Sequence, residues 1–237
     1  MHRNHLLLVS AIVLMSSLGL ASSAKAIPPS PDVDPADFVG EIDNPFFPLP
    51  PGRTLHYEGT DDGGVPEVDN VHVTHRTKQI LGVTCTVVHD QVFDSGVLSE
   101  DTFDYYAQDK AGNVWYFGED TKELDPNGNV TSTEGSWLGG VDGGRPGILM
   151  EANPQVGDQY RQEFLKGVAE DTARVLSLDE STCVIYGCFD GVLLTEEKDR
   201  LDPGVVDHKF YAKGIGSIFE QTVKGGDETI QLVSITN

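Results

Sequence analysis

Three observations predict an all-β fold, mainly antiparallel, built as a meandering barrel or half-barrel of about ten to twelve strands. Turn signals recur every eight to fourteen residues or so from Arg53 onward, as in Asp94-Ser95-Gly96, Pro126-Asn127-Gly128 and Ala212-Lys213-Gly214. The runs between them are rich in Val, Thr, Tyr and Phe, residues that suit a pleated, half-buried surface. A weak repeat spans the chain: Asn44-Pro45 leads to Gly52 and Tyr57, Asn153-Pro154 leads to Gly157 and Tyr160, and Tyr106-Ala107 answers Tyr211-Ala212. The repeat predicts two pseudo-equivalent halves of one sheet system.

In chain order, residues 1–26 read as a secretory signal peptide. Arg3 precedes the apolar run Leu6 to Leu20, and Ala24-Lys25-Ala26 supplies the small-x-small cleavage pattern. The run is short for a membrane span, so a protein cleaved after Ala26, periplasmic or secreted, with no stable membrane insertion is expected. Cleavage removes Arg3 and Lys25 and leaves 14 basic against 38 acidic side chains, taking the net charge from −22 to −24. A surface so acidic repels nucleic acid and anionic lipid and attracts cations. Residues 27–43, rich in Pro and Asp, read as a flexible lead-in. Residues 44–237 read as a single β domain with halves at 44–138 and 152–237, joined by a Gly- and Pro-rich crossover at 139–151. Three cysteines remain, Cys85, Cys183 and Cys188; export favours one disulfide among them, and spacing leaves its pairing open.

Five strands between Val71 and Trp137 are joined by four similar loops. Ile80-Leu81-Gly82, Asp94-Ser95-Gly96, Lys110-Ala111-Gly112 and Pro126-Asn127-Gly128 each fit a three-residue hairpin with a left-handed glycine third. That register sets Gln79 opposite Val83, Phe93 opposite Val97, Asp109 opposite Asn113 and Asp125 opposite Asn129. Alternation then gathers Cys85, Tyr105, Phe117 and Trp137 in one row of an inward face. His75, Val87, Phe103 and Glu119 follow, then Val73, His89 and Asp101, then Val71, Gln91 and Ser99. Arg76, Lys78, Asp90, Glu100 and Asp104 fall on a reverse face expected to be solvated.

Four ionisable groups on an apolar face call for a role, because an unpaired buried charge is costly. His89 stands opposite Asp101, with His75 and Glu119 diagonal to them. A carboxylate holding an imidazole makes a general base, so these four are the candidate catalytic residues. The same four are the only candidate metal ligands: no cofactor is predicted, but a divalent ion such as zinc or calcium would suit them. Gln91, Ser99, Phe103, Tyr105, Trp115, Phe117 and Trp137 are the candidate ligand-binding residues.

The strings Asn44-Pro45-Phe46-Phe47-Pro48-Leu49, Asp104-Tyr105-Tyr106-Ala107-Gln108-Asp109 and Gly112-Asn113-Val114-Trp115-Tyr116-Phe117-Gly118-Glu119 resemble secreted bacterial β-rich proteins of unassigned function. Gly135-Ser136-Trp137 and Phe210-Tyr211-Ala212-Lys213-Gly214-Ile215-Gly216 extend the likeness over most of the mature chain, and it transfers no catalytic residue. The Tyr-Ala-x-Gly-x-Gly hairpin is also similar to periplasmic lipoprotein-carrier (LolA/LolB-like) half-barrels, which implies an acyl-chain or lipid-like ligand. The leading expectation is therefore an exported barrel that binds a small, partly apolar molecule. A cofactor-free lyase, isomerase or hydrolase using His89–Asp101 in the cavity is the alternative, and a metal-binding protein the second alternative.

Overall fold

The computed structural model describes residues 27–237; the expected signal peptide and its cleavage site lie outside the described residues. Among the described residues the fold is all-β and antiparallel, with a single 3-10 turn at Pro35–Asp37. A short β1 (Phe38–Val39) precedes the meander β2 (Thr54–Thr60), β3 (Pro66–Ile80), β4 (Val83–Asp94), β5 (Val97–Asp109) and β6 (Val114–Asp120). Three stubs follow: β7 (Glu123–Leu124), β8 (Val130–Ser132) and β9 (Trp137–Leu138). The second run comprises β10 (Arg145–Met150), β11 (Gln159–Arg161), β12 (Glu163–Phe164), β13 (Asp171–Val184), β14 (Gly187–Asp199), β15 (Val206–Ala212), β16 (Gly216–Lys224) and β17 (Thr229–Thr236).

Pairing runs in sequence through β2 to β6 and β13 to β17, and β17 pairs with β2. The other side is bridged by β6–β10, β10–β12 and β11–β13, so the sheet nearly closes on itself. Closure removes the unpaired edges that invite aggregation. The segment expected to be only a crossover, 139–151, thus contributes a stave, because β10 inserts between β6 and β12. The two runs also begin alike. Gly52 N–H donates to Val73 O and Val73 N–H to Arg53 O, while Gly157 N–H donates to Val175 O and Val175 N–H to Asp158 O.

The loops explain how side chains reach their faces. The two glycine loops after β5 and β7 have the expected three residues, since Asp109 N–H donates to Asn113 O and Asp125 N–H to Asn129 O. The first two loops hold only two residues. Leu81 and Ser95 adopt φ of 51° and 50°, each followed by a positive-φ glycine, as a type I′ turn requires. Ile80 therefore faces Val83, not Gln79, and the one-residue slip reverses the faces of β3 and β4 relative to each other. On β4–β5 the same slip is cancelled by a bulge between Val92 and Phe93, so the relative faces of those two strands survive.

On β4 to β6 the inside of the barrel is the face expected to be solvated, whereas on β3 Val71 and Val73 face the interior as expected. Val73, Val88, Val114, Met150, Val175 and Leu193 pack one end of it, and Leu55, Val192, Ile218 and Leu232 pack the other. Cys85, Val87, Tyr105 and Phe117, expected inward, lie with Trp115 on the outer side and are buried because the lead-in covers them. Phe38 meets Trp115 and Phe117 edge-on at 5.6 and 5.4 Å. Arg145 ties the strap down by donating to Ser30 O and Asp32 Oδ1, both at 3.1 Å. Residues 27–43 are thus fastened to the barrel rather than loose, because an uncovered aromatic patch of this kind would be left in water.

Cys183 and Cys188 form the disulfide, across the tight hairpin that joins β13 to β14, and Cys85 is a buried free thiol.

Candidate functional site

Between the two packed ends of the interior lies a cavity of about 190 Å³. Asn44 builds its roof. That side chain donates to Gly112 O (2.8 Å) and Glu151 O (3.1 Å) and accepts from the Phe46 and Phe47 amides, which turns Phe47, Pro48 and Leu49 over the cavity. Leu55, Val71, Leu149, Ile215 and Ile230 add apolar wall. Alternation along β3, β4, β14, β15 and β16 brings Asp69, Asp90, Glu197, Lys209 and Glu220 to the same space.

Among the described residues Lys209 is the only basic side chain lining this cavity, and it is already engaged. Its Nζ lies 3.5 Å from Glu197 Oε2 and 3.2 Å from Glu220 Oε1. Glu197 Oε1 also accepts from the Thr195 hydroxyl (2.9 Å) and the Tyr211 hydroxyl (3.1 Å). Enclosure works against the lysine charge, but the two glutamates outweigh it and hold its pKa well above the ordinary value. Burial pushes Glu220 up to about 7, with Lys209 acting in the opposite sense.

Asp69 and Asp90 have no such cation. Burial raises both, Asp69 to about 6 and Asp90 well above the ordinary carboxylate value, with the nearby Asp69 charge adding to the rise of Asp90. One oxygen of each, Oδ1, is shut off from solvent and meets no protein donor.

A second acidic cluster sits deeper along β5 and β6. The Tyr116 hydroxyl lies 2.6 Å from Asp104 Oδ1 and 2.8 Å from Glu119 Oε2. A phenol has one proton to donate, so a protonated carboxyl must supply the other bond. Burial accordingly carries Asp104 and Glu119 each up to about 8. Beside them Trp137 Nε1 donates to Glu163 Oε2 at 2.6 Å, and burial next to Asp171 raises Glu163 to about 10.

The residues expected to form the site are dispersed. His89 and Asp101 do meet, with Nε2 2.7 Å from Oδ1, and Gln91 Nε2 donates to the same oxygen at 3.0 Å. They meet diagonally, because His89 is paired with Phe103 and Gln91 with Asp101. This cluster lies on the outer wall, about one quarter exposed, with the His89 ring stacked on Phe103 at 4.3 Å. Arg76 covers the Phe103 ring. A His89–Asp101 acid–base pair inside the cavity is therefore corrected: the pair exists but lies on the outer wall and does not line the interior cavity.

His75 is exposed beside Gly52, displaced by a bulge that sets Thr74, His75 and Arg76 against the single residue Val87. The histidine paired with His89 is His72, whose Nδ1 lies 2.8 Å from the Thr54 hydroxyl. Glu119 has changed faces. Gly118, at φ +133°, forms a bulge where any Cβ would strike Trp137 O at 2.4 Å, and the next residue turns toward Asp104. His75, His89, Asp101 and Glu119 are thus not brought together. Among the described residues, no group of three or more His, Cys, Asp or Glu is placed to hold a metal ion.

The expected ligand platform is likewise structural. Tyr105 lies under the Lys78 ammonium, Trp115 donates to Asp109 Oδ2 (2.9 Å), and Phe117 is sealed beneath the strap. Ser99 donates to Val92 O within the β4–β5 bulge. Asp69, Asp90, Glu197, Lys209 and Glu220 went unrecognised. The usable signal was three carboxylates, Asp69, Asp90 and Asp104, on alternating positions of apolar strands, which reads as a buried set only once the turn length is known.

No family model and no curated protein matches the chain. Among the described residues no helix is long and apolar enough to cross a membrane. A solved structure of an inferred exported protein with a YmcC-like fold from Bacteroides fragilis matches with TM-score 0.48 and 14% identity, over 81% of this chain and 99% of that one. An inferred lipoprotein from Parabacteroides distasonis matches with TM-score 0.44 and 10% identity, over 81% and 98%. Neither is a lipoprotein carrier by its description, and the LolA/LolB-like likeness is left without support.

Proposed function

We propose that this chain is an exported β-barrel that binds a small, partly apolar molecule in its interior cavity. The observation that carries this reading is the cavity itself: apolar walls enclose a few convergent polar groups, the usual composition of a small-molecule site. Its volume of about 190 Å³ suits a ligand of one ring and a few further atoms rather than a long acyl chain. The signal-like first 26 residues and the Cys183–Cys188 bond support export, since disulfides persist in oxidising compartments.

A thermal-shift and calorimetry screen of small aromatic, terpenoid and aliphatic compounds tests the reading. Binders should raise the melting temperature of the mature chain, and Ile230→Phe, which fills the cavity, should remove the effect. Binding that persists unchanged in Ile230→Phe, or no binder at all, would reject it.

A further inference from the structure

We propose that the cavity selects a small amine, with its ammonium held by Asp69 and Asp90 and its apolar body against Leu55, Val71 and Ile230; this rests on the binding function above and names its ligand class. Four carboxylates line the cavity against one basic group. Lys209 is committed to Glu197 and Glu220, which leaves Asp69 and Asp90 as the acids without a cation. Each keeps an enclosed oxygen with no protein donor, although buried acceptors are ordinarily satisfied. A bound N–H donor supplies what the protein withholds.

The neighbours fit the same ligand. Tyr57 is the cross-strand partner of Asp69 and also lines the cavity, as does Tyr106, so aromatic rings border the acidic pair. Rings of this kind stabilise a desolvated cation. An anionic ligand would meet carboxylates on β3, β4, β14 and β16 at once. A neutral one would leave the acidic pair without a counter-charge. The acidic surface acts in the same direction, concentrating cations around the barrel.

The experiment compares benzylamine with benzyl alcohol, of nearly equal shape, on the mature chain by calorimetry at neutral pH. Benzylamine should bind at least about tenfold more tightly, a difference expected of a charge-assisted contact. The double substitution Asp69→Asn and Asp90→Asn should abolish that preference while leaving benzyl alcohol binding in place. Equal or tighter binding of benzyl alcohol would overturn the amine assignment and leave the small-molecule function standing. Failure of both probes would overturn the amine assignment too, and the broader screen would then decide the binding function separately. Because the two probes are compared on the unaltered protein, the result holds even where the double variant does not fold.

Discussion

The two sides of strands β3 to β5 place the same residue types in opposite circumstances. Outside, His89 and Asp101 form a short contact, but each is about one quarter exposed and water competes for it. Inside, Asp69, Asp90 and Asp104 project from the same strands into protein, and burial drives all three toward the protonated form. A good hydrogen bond is therefore a poor guide to a site. Desolvation and the absence of a partner are the better guides, because they create a cost that a ligand or a proton must relieve.

The largest consequence of this contrast is a dependence of stability on pH. A carboxyl whose folded pKa is raised keeps its proton in the native state while the unfolded chain releases it. Stability is then fully present below the unfolded value and falls as pH rises toward the folded one. With Asp104 and Glu119 at about 8, the falling window runs from the ordinary carboxylate range to about pH 8. One proton retained across roughly three pH units is worth about 4 kcal/mol. Urea denaturation at pH 5 and pH 8 should show that loss, and Asp104→Asn with Glu119→Gln should flatten it. A flat profile in the unaltered protein would remove the contrast between the two faces.

Next in size is the lysine. Lys209→Met strands Glu197 and Glu220 without their cation, and at pH 8 it should cost about 2–3 kcal/mol, below the full value for a buried pair because the lysine side chain is partly accessible. Chemical denaturation measures it, and an unchanged midpoint would mean that the glutamates are solvated.

The Cys183–Cys188 bond closes a short loop. Replacing both cysteines with serine should therefore lower stability by only about 2 kcal/mol, without altering ligand binding, as calorimetry on the double variant would show.

Smallest of all is the outer pair. His89→Ala should cost less than about 1 kcal/mol, as exposed ion pairs do, and should leave binding in the cavity unchanged. Loss of binding in His89→Ala, measured beside an unaffected melting temperature, would return the site to the outer face.

Much of the architecture was legible because strand periodicity and turn chemistry are local. The spacing of Gly82, Gly96, Gly112 and Gly128 marks four reversals, and the valine-rich runs between them can be little other than strands. The meeting of His89 with Asp101 was legible as well, although through a slip and a bulge that cancel. Whether a glycine loop holds two residues or three was not legible, since Leu81 and Ser95 enter the left-handed region without any residue type that demands it. That single choice at Leu81-Gly82 reversed β4 and the strands after it relative to β3.

The sequence by itself determined an antiparallel β meander with its reversals in place, because backbone geometry is set by near neighbours. Only the tertiary structure decided which face became the inside. Curvature of the whole sheet, closure through β10, and the strap that puts Phe38 over Trp115 and Phe117 make that choice. Those contacts join residues far apart in the chain, and alternation alone carries no sign to tell a lining from a wall.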